Sequence, residues 1–330
     1  MSCIDRNEAL FGTLSDATVV ITGGANGIGA STARLFLNYG AKVVIADLPS
    51  AHDSAISLIS SLPETSKDRI IYIPTDILDW ESLTNAFKKS ITKFSKVDIV
   101  IANAGIMESK PFFDEDDVDE NGDLREPSQS HRVIDVNLKG TMNSMSTLYY
   151  LTLLSDYTTP AVRLAAHYMF CNALSDTNSF RGSILLVCST SGYFGSTSVA
   201  SYISSKHGIT GLLRASRSLL LEKYRIRINS VAPFMTPTHI TSSFSEEWIA
   251  EGLGINTTEE VAWAIAQMAN DEKMHGKCAM VVGGKMREVE GPIESSIGGW
   301  VGDEASEVFR KGWEFIQKRG GYPLPGDRRM

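Results

Sequence analysis

From Thr18 to Ile101, short apolar runs alternate with longer amphipathic stretches. Thr18–Ile21, Lys42–Ala46, Arg69–Ile73 and Val97–Ile101 read as buried strands, and helices are predicted over Gly29–Tyr39, ended by Gly40, and Trp80–Phe94. Ser183–Cys188, Arg225–Ser230 and Cys278–Val282 continue the series, the last stopping at Gly283-Gly284. Strand and helix in repeated succession predict a doubly wound α/β domain: a parallel sheet, right-handed crossovers, and helices on both faces. The pattern runs through almost the whole chain, so one domain is expected over residues 17–290, with an N-terminal segment 1–16 and a C-terminal extension 291–330.

Two stretches interrupt the series. One is a loop over residues 108–130. The other is an apparent insertion over 152–181, in which Ala161–Leu174 has helical periodicity. The extension carries Trp300, Phe309, Trp313 and Phe315 at a spacing that predicts a helix docking on this subunit or a neighbour.

Composition narrows the function. The chain has 330 residues and is 43% apolar and 21% charged, an ordinary globular balance long enough for an ample core. Between Asp114 and Asp123 stand seven acidic residues and no basic one, which account for nearly all of the net charge of −8. The remainder is close to neutral and lacks a basic footprint for nucleic acid. No apolar run is of membrane-spanning length, and the N-terminus lacks a signal-peptide core. Cys3, Cys171, Cys188 and Cys278 are scattered without a CxxC pair, and the six histidines show no metal-ligand spacing, so no metal is expected. These features predict a soluble, cytoplasmic protein with reduced thiols.

Thr22-Gly23-Gly24-Ala25-Asn26-Gly27-Ile28-Gly29 follows the first strand and opens the first helix. Glycines there permit a tight turn and let the backbone approach a pyrophosphate, which a helix N-terminus favours. The second strand ends in Ala46-Asp47, and a carboxylate at that point accepts hydrogen bonds from adenosine ribose hydroxyls and repels a 2′-phosphate. Leu48-Pro49 follow, with no basic residue at hand, so NAD is expected rather than NADP. Tyr202 and Lys206 lie four residues apart, on one face of a predicted helix, with Ser189 thirteen residues before the tyrosine. An ammonium beside a phenol stabilises the phenolate, which suits it to exchange a proton with an alcohol. Ser189 ends a strand, where open α/β sheets place their sites.

The ordered set of Thr22–Gly29, Asp76, Asn103-Ala104-Gly105, Asn137, Ser189, Tyr202 and Lys206 resembles the short-chain dehydrogenase/reductase family over about Ala17 to Gly284. The resemblance implies a seven-stranded Rossmann-like sheet and catalysis by Ser189, Tyr202 and Lys206, with Asn137 sustaining a proton relay to Lys206. It further implies a cofactor cleft lined by Gly23, Asn26, Gly27, Ile28, Gly29, Asp47, Leu48, Asn103, Ala104, Gly105 and Pro233. Asp76 and Ile77 would meet adenine, Lys206 the nicotinamide ribose, and Thr238 the carboxamide. Within the family the chain is similar to 15-hydroxyprostaglandin dehydrogenase-like members and to fungal secondary-metabolite dehydrogenases that oxidise secondary alcohols. A homodimer or homotetramer is the family expectation.

The family's usual Pro-Gly is here Pro233-Phe234, which stiffens the backbone and places a ring near cofactor or substrate. Tyr193, Phe194, Phe234 and Met235 are candidate substrate contacts, the last two opening a substrate loop over 234–256. The expected activity is NAD(H)-linked interconversion of a secondary alcohol and a ketone on a fairly apolar small molecule. The alternatives are an NAD(P)H-dependent ketone reductase and a non-redox, regulatory dinucleotide-binding protein.

Overall fold

Strands at the centre of the sheet are covered on both faces: every residue of Thr18–Thr22 and of Ile226–Pro233 is buried, including the polar Arg227, Asn229 and Ser230 of the latter. In the computed structural model, residues 3–114, 116–145, 164–170, 172, 174, 179–319 and 321–322 are described. Its strands are β1 (Cys3–Ile4), β2 (Thr18–Thr22), β3 (Lys42–Asp47), β4 (Ile70–Pro74), β5 (Ile99–Ala102), β6 (Gly182–Val187), β7 (Ile226–Pro233), β8 (Cys278–Val282) and β9 (Lys285–Glu288). They form one sheet in the order β1-β9-β8-β7-β6-β5-β2-β3-β4. Seven strands, β2 to β8, are mutually parallel, as the periodicity predicts.

Alternate residues of each strand feed opposite faces. Val19, Ile21, Val43 and Ile45 pack on one side with the helices Gly27–Asn38 and Thr258–Asn270, whereas Val20, Val44 and Ala46 face the helices Trp80–Phe94 and Ala200–Tyr224. Buried Arg227 donates to the carbonyls of Ala269 and Asp271 at 2.6 and 2.9 Å, closing the C-terminal end of the helix Thr258–Asn270. Burial lowers its guanidinium pKa to about 10.

The structure departs from the pattern at the β8 edge. Gly283 and Gly284, expected only to stop a strand, have φ of 56° and 70° and form the two-residue turn of a hairpin in which Val282 pairs with Lys285. The resulting β9 is antiparallel to β8, and β1 in turn pairs antiparallel with β9 through Cys3–Arg287 and Ile4–Met286. The N-terminal segment contributes to the core as well: Phe11 is fully buried, with its ring 4.8 Å from Tyr39 and 4.6 Å from Trp263. Of the expected insertion, a helix Leu164–Phe170 is described, and much of the remainder, with Cys171, lies outside the described residues. The extension forms a helix, Asp303–Gln317, as its spacing predicts, but none of its residues is buried, and Val308, Phe309, Trp313 and Phe315 are exposed. Among the described residues no helix is long and apolar enough to cross a membrane.

His275 holds the turn before β8. Its Nε2 lies 2.9 Å from Arg217 O, while its Nδ1 accepts the Ile228 amide at 3.3 Å, an arrangement suited to the neutral ring. Burial, which outweighs the hydrogen bond to Arg217 O, and then the charges of Arg227 and Arg217 lower its pKa below the ordinary 6.5. As pH falls through that ordinary value the unfolded chain takes up the proton first, so stability declines on acidification. The urea midpoint is expected to be lower near pH 5.5 than near pH 7.5, and a His275→Gln variant should lose less over the same interval.

Candidate active site

Two loops at the carboxyl ends of β2 and β5 meet where the sheet reverses its winding. Thr22 and Gly23 offer their carbonyls to Asn103 Nδ2 at 3.0 and 2.9 Å, and Thr22 Oγ1 accepts the amides of Asn103 and Ala104 at 3.1 and 3.3 Å. The turn that follows is closed by contact. Gly23 has φ of 64°, and a Cβ on Gly29 would fall 2.1 Å from Gly23 O, so only glycine fits there. Asn26 precedes the helix Gly27–Asn38 without capping it through its side chain, which leaves first-turn amides for an anion. Ile28 packs at the margin of the core.

Asp47, ending β3, accepts the amides of Ala25 at 3.0 Å and Leu48 at 2.8 Å, which sets its carboxylate beside the glycine turn. A crevice there is lined by Ala25, Asn26, Gly27, Arg34, Asp53 and Ser57 among others. No basic residue follows Asp47 in the sequence, but the fold brings Arg34, two turns along the helix Gly27–Asn38, to the crevice at the glycine turn. Asp76 caps its own turn by accepting the Leu78 amide at 2.8 Å, and Ile77 packs on Gly140 and gives its carbonyl to Asn143. Pro233 ends β7, and the loop beyond it carries Thr238 to within 3.3 Å of where a Cβ on Gly27 would lie. The glycine turn is thus met by Asn103 and Ala104, by Asp47 through Ala25, and by Thr238, whereas Asp76 and Ile77 pack toward Leu78, Gly140 and Asn143.

Asn137 and Lys206 meet at Gly105, where a Cβ would lie 3.2 Å from Asn137 Oδ1 and 3.7 Å from Lys206 Nζ. Asn137 is buried in a π-turn, Asp135–Gly140, and pairs reciprocally with Ile106: Oδ1 accepts its amide and Nδ2 donates to its carbonyl, each at 2.8 Å. The same Nδ2 reaches Ser205 Oγ at 3.0 Å, and Ser205 Oγ donates to Tyr202 O at 2.7 Å. Ser205 was not anticipated; three residues beyond Tyr202, it links Asn137 to the helix that carries the tyrosine. Lys206 is buried, its ammonium 5.5 Å from the Tyr202 ring centre and 3.0 Å from Val187 O. Ser189 caps a short 3-10 turn, its Oγ accepting the Ser191 amide at 3.1 Å. That turn presses on the helix at Gly192, where a Cβ would lie 2.8 Å from Lys206 O. Cys188 packs between them, its pKa raised chiefly by burial.

The candidate substrate contacts fall into different settings. Tyr193 donates its hydroxyl to buried Glu290 at 2.8 Å, and Arg214 grips the same carboxylate through Nε and Nη2 at 2.8 and 3.0 Å. Burial first, then buried Cys278 and the Glu290 charge, raises the Tyr193 pKa far above the ordinary 10. Its hydroxyl is therefore an anchor for the serine turn, fixed by residues 21 and 97 positions away, which no local pattern reveals. Phe194 is well exposed, and Phe234 is half-exposed with its ring 5.6 Å from Trp248. Met235 is buried, and its carbonyl accepts the Asn256 amide at 2.8 Å. A second carboxylate has no local signature in the sequence: buried Glu108 accepts the Ser201 amide at 2.9 Å and the Tyr202 amide at 3.1 Å.

A family profile described as short chain dehydrogenase matches residues 17–155 and 158–248. The short-chain dehydrogenase/reductase prx4 of Penicillium roqueforti is 33% identical over 270 residues, covering 82% of this chain and 70% of that protein. The 5'-hydroxyaverantin dehydrogenase of Dothistroma septosporum is 27% identical over 321 residues, covering 94% of this chain and 97% of its own length. Among solved structures, a 3-hydroxyacyl-CoA dehydrogenase type-2 from Mycobacterium avium superposes with a TM-score of 0.65 at 23% identity, over 82% of this chain and 96% of that one. That likeness concerns the fold.

The closed glycine turn gives a direct test. Gly29→Ala would drive a methyl group into Gly23 O, and NADH affinity, read from nicotinamide fluorescence, is expected to fall roughly tenfold or more while the protein stays folded.

Proposed function

The chain belongs to the short-chain dehydrogenase family, oxidoreductases of CH–OH groups, and from that premise we propose that it interconverts a secondary alcohol and a ketone on a fairly apolar small molecule, using NAD(H). The observation that carries this reading is the convergence of Tyr202, Lys206, Asn137 and the Ser189 turn around Gly105, which follows directly on the Asn103-Ala104 pair that holds the glycine turn. The site fits a dinucleotide: glycine backbone closes the turn that would face the pyrophosphate, and Asp47 stands beside it for the ribose hydroxyls. When bound, the dinucleotide accepts or supplies the hydride. The protein's own part is proton transfer and positioning. Tyr202 takes the hydroxyl proton of the alcohol at its phenolic oxygen, or returns it to the ketone. Ser189 holds the substrate oxygen by a hydrogen bond, and the Lys206 ammonium supplies positive charge beside the phenol and further donors for a ribose. Asn137 steadies the helix that carries Tyr202 and Lys206 through Ser205. Exposed Phe194 and the Phe234–Trp248 pair, beyond the carboxyl ends of β6 and β7, support an apolar substrate.

Oxidation of a fungal metabolite is favoured by the likeness to the 5'-hydroxyaverantin dehydrogenase of Dothistroma septosporum. Cytoplasmic location, a homo-oligomer, and the division into 1–16, 17–290 and 291–330 are part of the same proposal. A second reading, NADPH-linked ketone reduction, is favoured by one observation: Arg34 lines the same crevice as Ala25, Asn26 and Gly27 of the glycine turn, a basic group within that turn's surroundings.

Tyr202→Phe is expected to lower kcat roughly 10²- to 10⁴-fold in a screen of apolar secondary alcohols with NAD⁺, and to leave NADH binding intact. Near-normal turnover would refute the mechanism. Calorimetric titration of NAD⁺, NADH, NADP⁺ and NADPH separates the two cofactor readings. A preference for NAD(H) that relaxes in Asp47→Ala supports the first, and a preference for NADPH lost in Arg34→Ala establishes the second.

A further inference from the structure

The helix Ala200–Tyr224, which carries Tyr202 and Lys206, begins without a cap of its own. Its N-cap residue is Val199, whose side chain accepts nothing, and Ser198 just before it is held at φ of 67°. The first amide satisfied from within is that of Ile203, which donates to Val199 O at 3.0 Å, so the amides of Ser201 and Tyr202 need partners from elsewhere. Glu108 supplies them. It is 8% exposed and lies 93 residues away in sequence, and its Oε1 accepts the Ser201 amide while Oε2 accepts that of Tyr202.

The origin of Glu108 gives this contact a meaning beyond capping. It stands two residues after Ile106, whose amide and carbonyl are both taken by Asn137, and three after Gly105, where a Cβ would lie 3.7 Å from Lys206 Nζ. The segment leaving the dinucleotide cleft therefore ends on the tyrosine's own backbone. A carboxylate is favoured at a helix N-terminus by the dipole, and from this position it fixes how far the helix advances toward the cleft.

We propose that Glu108 is a positioning residue for proton transfer: it sets the axial place of Tyr202 relative to the cofactor cleft. This rests on the reading of Tyr202 as the proton-transferring group. A local cap could stabilise the helix equally well but would not tie it to the loop after β5, and that difference is measurable.

The experiment compares Glu108→Ala, Glu108→Gln, the double variant Glu108→Ala/Val199→Asp, and Tyr202→Phe. The readouts are Tm, NADH affinity by fluorescence, and oxidation of 1-indanol with NAD⁺. Glu108→Ala should lower both Tm and kcat, kcat by roughly 10- to 100-fold, with NADH affinity within about twofold of the parent, as expected for a displaced reacting group. Glu108→Gln, which keeps an acceptor oxygen, should recover part of the rate. The double variant, with a new cap at the helix start, should regain Tm while kcat stays low. If kcat returns together with Tm, Glu108 is a cap alone and the proposal is overturned. A second readout needs no turnover: the ¹³Cζ resonance of Tyr202, assigned by its loss in Tyr202→Phe, should be displaced in Glu108→Ala at a fixed pH, and a coincident resonance overturns the proposal. If Tyr202→Phe retains the parent rate, the reading of Tyr202 itself falls; if Tyr202→Phe is inactive and Glu108→Ala is not, only the present inference does.

Discussion

Between β2 and β5 the sheet changes its direction of winding, and the side-chain amide of Asn103 spans the gap by donating to Thr22 O and Gly23 O. Strands that feed crossovers on opposite faces leave a crevice at their carboxyl ends, and the loops there would be free to splay. With the Asn103 amide in place, the glycine turn is held against Ala104, and the backbone beyond it is delivered to Asn137. From there the hydrogen bonds run through Ser205 to Tyr202. The glycine turn and the proton-transferring end are one connected construction, built outward from a single side chain that touches no reacting atom.

The helix Ala200–Tyr224 is consequently constrained from several directions. Ser205 ties it to the π-turn of Asn137, Gly192 packs the serine turn against it, and Glu108 meets its first amides. Further along, Arg214 reaches the Glu290 carboxylate that also holds Tyr193. The carboxylates come from the loop after β5 and from the segment after β9, regions far apart in sequence. Buried carboxylates of this kind are tolerated because both oxygens of each accept hydrogen bonds, Glu108 from two backbone amides and Glu290 from Tyr193 and Arg214. They restrict the helix more tightly than apolar packing would, since hydrogen-bond geometry allows little sliding.

Seven parallel strands, the glycine turn and the Tyr202–Lys206 pair were legible because each is written locally, as a period of two, a strand–turn–helix context, or a four-residue spacing. The grouping of Asn137 with the catalytic helix followed only from the family resemblance, because 65 residues separate Asn137 from Tyr202. Glu108, Arg214 and Glu290 were not legible at all: an isolated Glu or Arg has the same sequence signature on a solvated surface as in a buried clamp. The hairpin at Gly283-Gly284 could have been read, since a glycine pair between two alternating runs is a strong turn signal. The extension shows the converse. Its amphipathic spacing foretold a helix, but the spacing holds no information about which surface receives it.

The antiparallel edge has a bearing on how the chain comes to be folded as it is made. Cys3 and Ile4 pair with Arg287 and Met286, and Gln267 and Asn270 hold the carbonyls of Asp5 and Leu10. During synthesis the first of these segments leaves the ribosome long before the second exists. The early strands can pair as they emerge, because β2, β3 and β4 succeed one another in the sheet. The opening residues must wait, unpaired, until nearly the whole domain has followed. The pairing of β1 with β9 can therefore form only after Lys285–Glu288 has been made, so the antiparallel margin of the sheet joins residues from both ends of the synthesis.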